Sequence, residues 1–291
     1  MFSIQGLASF HKDARHWQIL ALSGLFAMAL TISDFGTSFW AWGAAFSGAI
    51  TAQVIGSKLT GTKFEWKSAM ITSLSLSILL RATNPLFWFA AGLVAIGAKF
   101  IIRYRGKHIF NPACIGIVIV VLLAPGAWIS PGQWGQAPWF IAFAVGFAAL
   151  TLSSAKRLDI ALGFLAAFAA MLFGRAYYLG DPMVIPMHQM QSGALLVFAF
   201  FMITDPRSAP DSRIGRLIFA ACIAALAAWM GWEHHVRGGM LYALALLAPL
   251  TPILDRLIPA GRFQWNPKEK RTHATQTPND GGGTLARAAP I

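Results

Sequence analysis

Long apolar runs alternate with short polar stretches from near the start of the chain to about residue 260. The runs recur at 17–33, 36–55, 68–80, 85–102, 112–129, 138–154, 158–179, 184–204, 214–232 and 239–258. A helix needs about 20 apolar residues, within a range of roughly 17–25, to cross a bilayer. Most of the runs meet that length. The run at 68–80 is short, so a span that is tilted, broken or lengthened by Lys67 and Arg81 is expected there. The pattern predicts an all-α polytopic membrane protein with about ten transmembrane helices. Five spans precede the 130–137 loop and five follow it, in opposite orientations. That split permits an inverted repeat of the kind used by membrane carriers, although the halves carry no residue-level match. Residues 1–16 then form a cytoplasmic N-terminal segment and 17–260 the membrane domain. Residues 261–291, polar and with the run Asp280-Gly-Gly-Gly283, read as a disordered cytoplasmic tail.

Basic residues test this topology, because Lys and Arg accumulate in cytoplasmic loops. Of the 23 Lys and Arg, all but Arg81, Arg175 and Arg237 fall on one side when the runs are threaded alternately. A miscounted span would scramble that alternation. The count therefore supports ten spans with both termini in the cytoplasm; the cell inner membrane is the expected location. No secretory leader is expected, since the N-terminus lacks a short apolar core ending in a small-residue cleavage site.

Composition changes the picture in two places. The chain is 56% hydrophobic and 12% charged, with mean hydropathy +0.58, whereas soluble domains carry about a quarter charged residues. A soluble catalytic domain is excluded by that balance, and the lipid bilayer is the first partner. The net charge of +12 would suggest nucleic acid in a soluble protein. Here it is accounted for by loop orientation, and no nucleic-acid partner is expected. Cys114 and Cys222 fall in separate apolar runs, where thiols act as small hydrophobes, and no disulfide is expected.

Two polar insertions carry the candidate chemistry: Gly106-Lys-His-Ile-Phe-Asn-Pro112 and Phe201-Met-Ile-Thr-Asp-Pro-Arg-Ser-Ala-Pro210. Both face the cytoplasm in this topology, and neither is needed to span a bilayer. In the first, Asn111 before Pro112 reads as an N-cap followed by the first helical position. Free amides at that helix start, beside Arg103, Arg105 and Lys107, favour an anion. A capped helix with a basic loop leaves His108 and Phe110 unexplained. In the second insertion, Thr204-Asp205-Pro206 ends a span, and Pro206 stops its continuation. Asp205 then sits at the negative end of a helix dipole, so a partner is expected: Arg207, another loop cation, a metal ion or a cofactor group. Asp211 and Ser212 are available to cap the next helix. Asp255, near the inner end of the last span, either pairs with Arg256 or snorkels. As ionisable groups at the membrane edge, Asp205 and Asp255 are also candidates for coupling to an ion.

These motifs resemble the membrane flavin subunits of the sodium-translocating NADH:quinone reductase (its B subunit) and of the Rnf electron-transport complex (its D subunit). The resemblance is carried by Ser68–Arg81, Gly106–Ala113, Phe201–Pro210 and Gly239–Asp255, in the family's order. It implies a ten-span helical protein that binds flavin and passes electrons within a larger complex of redox subunits. On this basis Lys107, His108, Phe110, Asn111, Pro112, Thr204, Asp205 and Pro206 are the cofactor-binding candidates, and no catalytic residue or metal ligand is assigned. Larger relatives attach FMN covalently to a threonine in an outer-side segment. The corresponding stretch, Ser130–Trp139, has no threonine, so riboflavin or FMN is expected to bind non-covalently. The sequence around Trp128, Trp134 and Trp139 resembles short members associated with enediyne biosynthesis. A positive group near the flavin N1 would stabilise its reduced form. Haem would need His ligands at matching depth, yet His188, His234 and His235 fall near the outer face and His16 and His108 near the inner one. The competing function is a carrier for a small solute or cation.

Overall fold

A computed structural model describes residues 14–31, 37–130 and 157–262. Helix α1 covers Ala14–Thr31 and α2 Phe39–Thr60. The Ser38 hydroxyl caps α2 by accepting from the Ala41 amide, and Gly61, at φ 64°, ends it. Along α2, Ala41, Ala45, Gly48, Ala49, Ala52 and Gly56 form a buried stripe of small residues. It lies against α4, Pro85–Ile101, closely enough that a Cβ on Gly48 would fall 2.0 Å from the Phe89 carbonyl oxygen. A Cβ on Gly92 would fall 2.1 Å from the Ala45 oxygen. Small residues let helix backbones approach where lipid offers no hydrophobic drive.

Helix α3 runs from Trp66 to Leu79 and breaks as its short apolar run suggests. Ser77 donates back to the Ser73 carbonyl at 2.7 Å, a bond that competes with the helix ladder. Arg81 donates to the Ser77 and Leu80 carbonyls, satisfying the helix end. The chain continues extended as β1, Leu80–Ala82. Helix α5 starts at Pro112 but stops at Leu123, not near 129 as the apolar run implies. The cause is Pro125, which forces Ala124 into an extended conformation, and Gly126 then turns at φ 93°. The chain returns as β4, Ala127–Ile129, antiparallel to β1, with Arg81 opposite Trp128. The two broken ends thereby satisfy each other's backbone groups. Between α4 and α5 lies a minimal hairpin of β2, Arg103–Tyr104, and β3, Lys107–His108. The all-α class holds, with these two small antiparallel pairs added.

Helix α6 spans Leu158–Leu179 and α9 Arg213–Glu233. Each is long and apolar enough to cross a membrane. The runs at 184–204 and 239–258 are not single straight helices. The first divides into α7, Val184–Met190, and α8, Gly193–Val197, which continues as a π-helical turn over Phe198–Met202; the two parts meet at 48°. The second divides into α10, Gly239–Leu247, and α11, Leu250–Leu257, at 52°. Pro249, which lacks a helical N–H, marks that break. Counting each bent pair as one span gives up to four membrane-length elements among the described residues, while α4 and α5 are apolar but shorter. The run at 138–154 lies outside the described residues.

Phe164, Phe198, Phe219, Leu76, Ile117 and Leu241 belong to one buried cluster drawn from both halves of the chain. Outside it, Trp40, Leu59, Ile101 and Tyr178 are more than four-fifths exposed. An apolar exterior of this kind suits lipid rather than water.

Candidate functional site

The two polar insertions meet. Asn111 caps α5 by accepting from the Cys114 amide at 3.0 Å, and its own amide nitrogen donates to the Met202 carbonyl at 3.1 Å. The side chain that begins this helix therefore also clamps the end of the π-helical turn. A π turn leaves carbonyls displaced from the ordinary ladder, and Met202 presents one of them. Thr204 turns its hydroxyl back to the Phe200 carbonyl at 2.7 Å.

Asp205 receives the partner its position demands. His108 Nε2 lies 3.3 Å from Oδ2, the Arg207 amide donates to Oδ1 at 3.1 Å, and the Ser208 hydroxyl donates to Oδ2 at 3.0 Å. Arg207 thus contributes its backbone to the carboxylate and Ser208 its hydroxyl, while the imidazole partner comes from the other insertion. Burial alone would raise the Asp205 pKa. The hydrogen bond and charge of His108, with the Arg207 and Ser208 donors, outweigh it and hold the pKa below the ordinary carboxyl value.

A cavity of about 100 Å³ opens beside this junction, within about 900 Å³ of empty space that includes its mouth. His108, Asn111, Pro112, Thr204, Asp205 and Pro206 all line it. Its floor is apolar, from Ile71, Phe200, Phe201 and Met202, and Ser68, Thr72 and Ser75 of α3 supply a polar wall. Apolar surfaces with a few convergent polar groups are the usual makeup of small-molecule clefts. Arg15, Glu65, Lys99, Arg157 and Arg207 add the charged part of the lining.

Lys99 is the residue that sequence reasoning misplaces. Charge counting puts it in a loop, yet it lies within α4, 5% exposed. Its ammonium donates to Gln53 at 3.0 Å and Ser68 at 3.2 Å, with Glu65 at 3.9 Å. The available signal is its position inside an apolar run, where a buried cation is costly and so marks a site. Arg157 likewise counts only as a loop charge in the sequence. It is buried against the Pro210 carbonyl, and burial lowers its basicity.

Two candidates stand elsewhere. Lys107 turns away from this cleft and bridges Asp211 at 3.1 Å and Asp255 at 2.9 Å. Phe110 is partly buried and lines neither this cleft nor its neighbour. Asp255 therefore pairs with Lys107 and with the Asp211 amide at 2.7 Å, not with Arg256. Ser212 alone caps α9, because Asp211 is engaged by Lys107. Lys107, Asp211 and Asp255 line a second cleft, and His108 lines both.

The fold and this site define a helical integral membrane protein with a polar cleft at one end of its broken helices. Comparison with known proteins narrows the class. A sequence profile described as the NQR2, RnfD, RnfE family matches residues 129–264. The chain is 27% identical to the D subunit of an ion-translocating oxidoreductase complex from Alcanivorax borkumensis, covering 65% of this chain and 72% of the relative. The D subunit of the same kind of complex from Ectopseudomonas mendocina is 24% identical, covering 81% of this chain and 85% of the relative. Its counterpart from Citrobacter koseri reaches 31% over 135 residues, but only 36% of its length. These are the same family and the same kind of subunit that the motifs of this chain resemble.

Proposed function

We propose that this chain is the membrane-embedded electron-transfer subunit of a larger redox complex, holding riboflavin or FMN non-covalently in the cleft between α5 and the π-helical turn. The similar D subunits are named for an ion-translocating oxidoreductase complex, and the partners inferred here are other subunits of such an assembly. In this reading the chain spans the inner membrane ten times, and the cleft and both termini face the cytoplasm.

One observation carries the reading. Two polar insertions about ninety residues apart in sequence, each expendable for crossing lipid, converge on one cleft through the Asn111–Met202 and His108–Asp205 contacts. The lining suits a flavin by its chemistry: Phe200, Phe201 and Met202 offer apolar surface to a ring system, and Ser68, Thr72 and Asn111 offer polar groups to its edge. Lys99 is the cation placed to favour the reduced form. A flavin bound there would supply one- or two-electron redox chemistry, which no side chain of this cleft provides. The protein's part is to seat the ring, fix its edge and hold charge beside it. Purified full-length protein should show flavin absorbance bands and release flavin on denaturation. Their absence from protein isolated with its membrane partners overturns the proposal.

The broken helices favour a second reading, a carrier for a small solute or cation. Discontinuous helices with extended backbone inside a membrane domain are the usual binding elements of secondary transporters, and β1 pairs with β4 in that manner. Liposomes containing the isolated chain separate the readings. Solute uptake without redox partners favours the carrier, and a flavin that undergoes reduction without uptake favours electron transfer.

A further inference from the structure

Two guanidinium groups converge on one tyrosine in the second cleft, and a third arginine is tied to the same turn. Arg256 donates to the Tyr104 hydroxyl at 2.6 Å, and its guanidinium lies 5.6 Å from the ring centre. The Arg105 guanidinium lies 5.5 Å from the same ring. Arg262 donates to the Arg105 carbonyl at 2.8 Å. All three line the cleft, and among the described residues none of the three has a carboxylate in ion-pair reach. The cleft's two carboxylates, Asp211 and Asp255, are already committed to Lys107.

The turn that carries Arg105 adds an independent observation. Arg105 and Gly106 connect β2 to β3 with φ of 50° and 80°. A two-residue turn with both φ positive favours Asn, Asp or Gly at its first position, and an arginine there is strained. Loop orientation explains why cations gather on this side of the membrane. It does not explain why two of them flank one ring, one from a strained turn whose carbonyl a third holds.

We propose that this cluster is a binding site for a phosphate group, distinct from the first cleft and independent of what occupies it. Guanidinium forks match phosphate oxygens in pairs, and a bound dianion or diester would relieve the mutual repulsion of the three arginines. The phosphate arrives either as the headgroup of an acidic phospholipid, as basic pockets at the cytoplasmic edge of membrane helices receive it, or as a soluble phosphate.

The test uses the full chain in neutral detergent, with the thermal unfolding midpoint as readout. Inorganic phosphate is compared with chloride at equal ionic strength, and micelles containing phosphatidylglycerol with micelles containing phosphatidylcholine. A rise with phosphate assigns a soluble ligand, a rise with phosphatidylglycerol alone assigns a lipid headgroup, and either supports the site. In Arg105→Gly and Arg256→Gln the half-saturating concentration should rise about tenfold, the loss of one charge-assisted pair. Without added anion, Arg105→Gly should melt no lower than the parent protein, because glycine relaxes the turn. No response beyond the chloride and phosphatidylcholine controls, or an undiminished response in both variants, overturns the proposal.

Discussion

Asp205→Asn is the sharpest probe of the first cleft. In the parent protein the carboxylate accepts from His108, the Arg207 amide and the Ser208 hydroxyl. Asparagine keeps one acceptor oxygen for the Arg207 amide but presents a neutral group to the other two. Hydrogen bonds to charged groups contribute about 1.5–3 kcal/mol net, and neutral ones about 0.5–1.5 kcal/mol. The substitution should therefore cost about 1–2 kcal/mol in the organisation of the junction. If all of that falls on ligand retention, the flavin dissociation constant rises about 5- to 30-fold. Flavin per polypeptide after purification, and fluorescence quenching on titration with riboflavin or FMN, measure the change. A melting curve separates lost binding from lost fold. The comparison is Asp255→Asn, whose carboxylate serves Lys107 and the Asp211 amide and lines only the second cleft. That variant should lose stability yet keep its flavin. Retention of parental flavin affinity in Asp205→Asn, with loss in Asp255→Asn, refutes the assignment of the first cleft. The pH dependence follows from the lowered Asp205 pKa. A depressed carboxyl contributes stability that is fully present above its ordinary value and is lost as pH falls through the folded value. The contribution from Asp205 ionisation should thus be unchanged from neutral pH to about 5 and shrink only in stronger acid.

Other changes test the frame around the site. Asn111→Ala removes both the α5 cap and the link to Met202; it should cost about 1–2 kcal/mol and lower flavin content, read by melting and flavin extraction. Lys107→Met leaves two carboxylates facing each other, whose side chains are 7% and 21% exposed. Uncompensated charges of that kind cost about 3 kcal/mol or more, and adding Asp255→Asn should recover part of the lost melting temperature. Gly92→Val places a branched side chain where even a Cβ meets the Ala45 oxygen at 2.1 Å. Overpacking of about 1–3 kcal/mol or more should appear as aggregation on size exclusion, while the same change at Gly97, where a Cβ meets nothing within 4 Å, should be tolerated.

The site is partly legible in the sequence. The Asn111-Pro112 pair announces a capped helix start, and Thr204-Asp205-Pro206 announces a helix end with an unbalanced carboxylate. Both hold, because capping and proline chemistry act within a few residues. That Asp205 meets His108 rather than the Arg207 side chain is not legible, since the contact depends on where α5 packs against the π-helical turn. By sequence, Lys107 belongs with the cofactor site and Asp255 with the ion-coupling groups. They instead form one bridge across the second cleft, and hydropathy says nothing about which loops share a surface. Lys99 escapes notice because charge counting treats every cation near a boundary as a loop residue.

Sequence alone determined the helical class and the apolar character of the chain, because apolar run length and local stop signals are properties of neighbouring residues. It also marked Pro112 and Pro206 as boundaries, for the same local reason. Only tertiary structure decided that α3 and α5 end in paired strands, that two spans bend, and that both insertions close on one cleft. Those outcomes rest on contacts between residues far apart in the chain, where backbone groups freed by one broken helix must find partners on another.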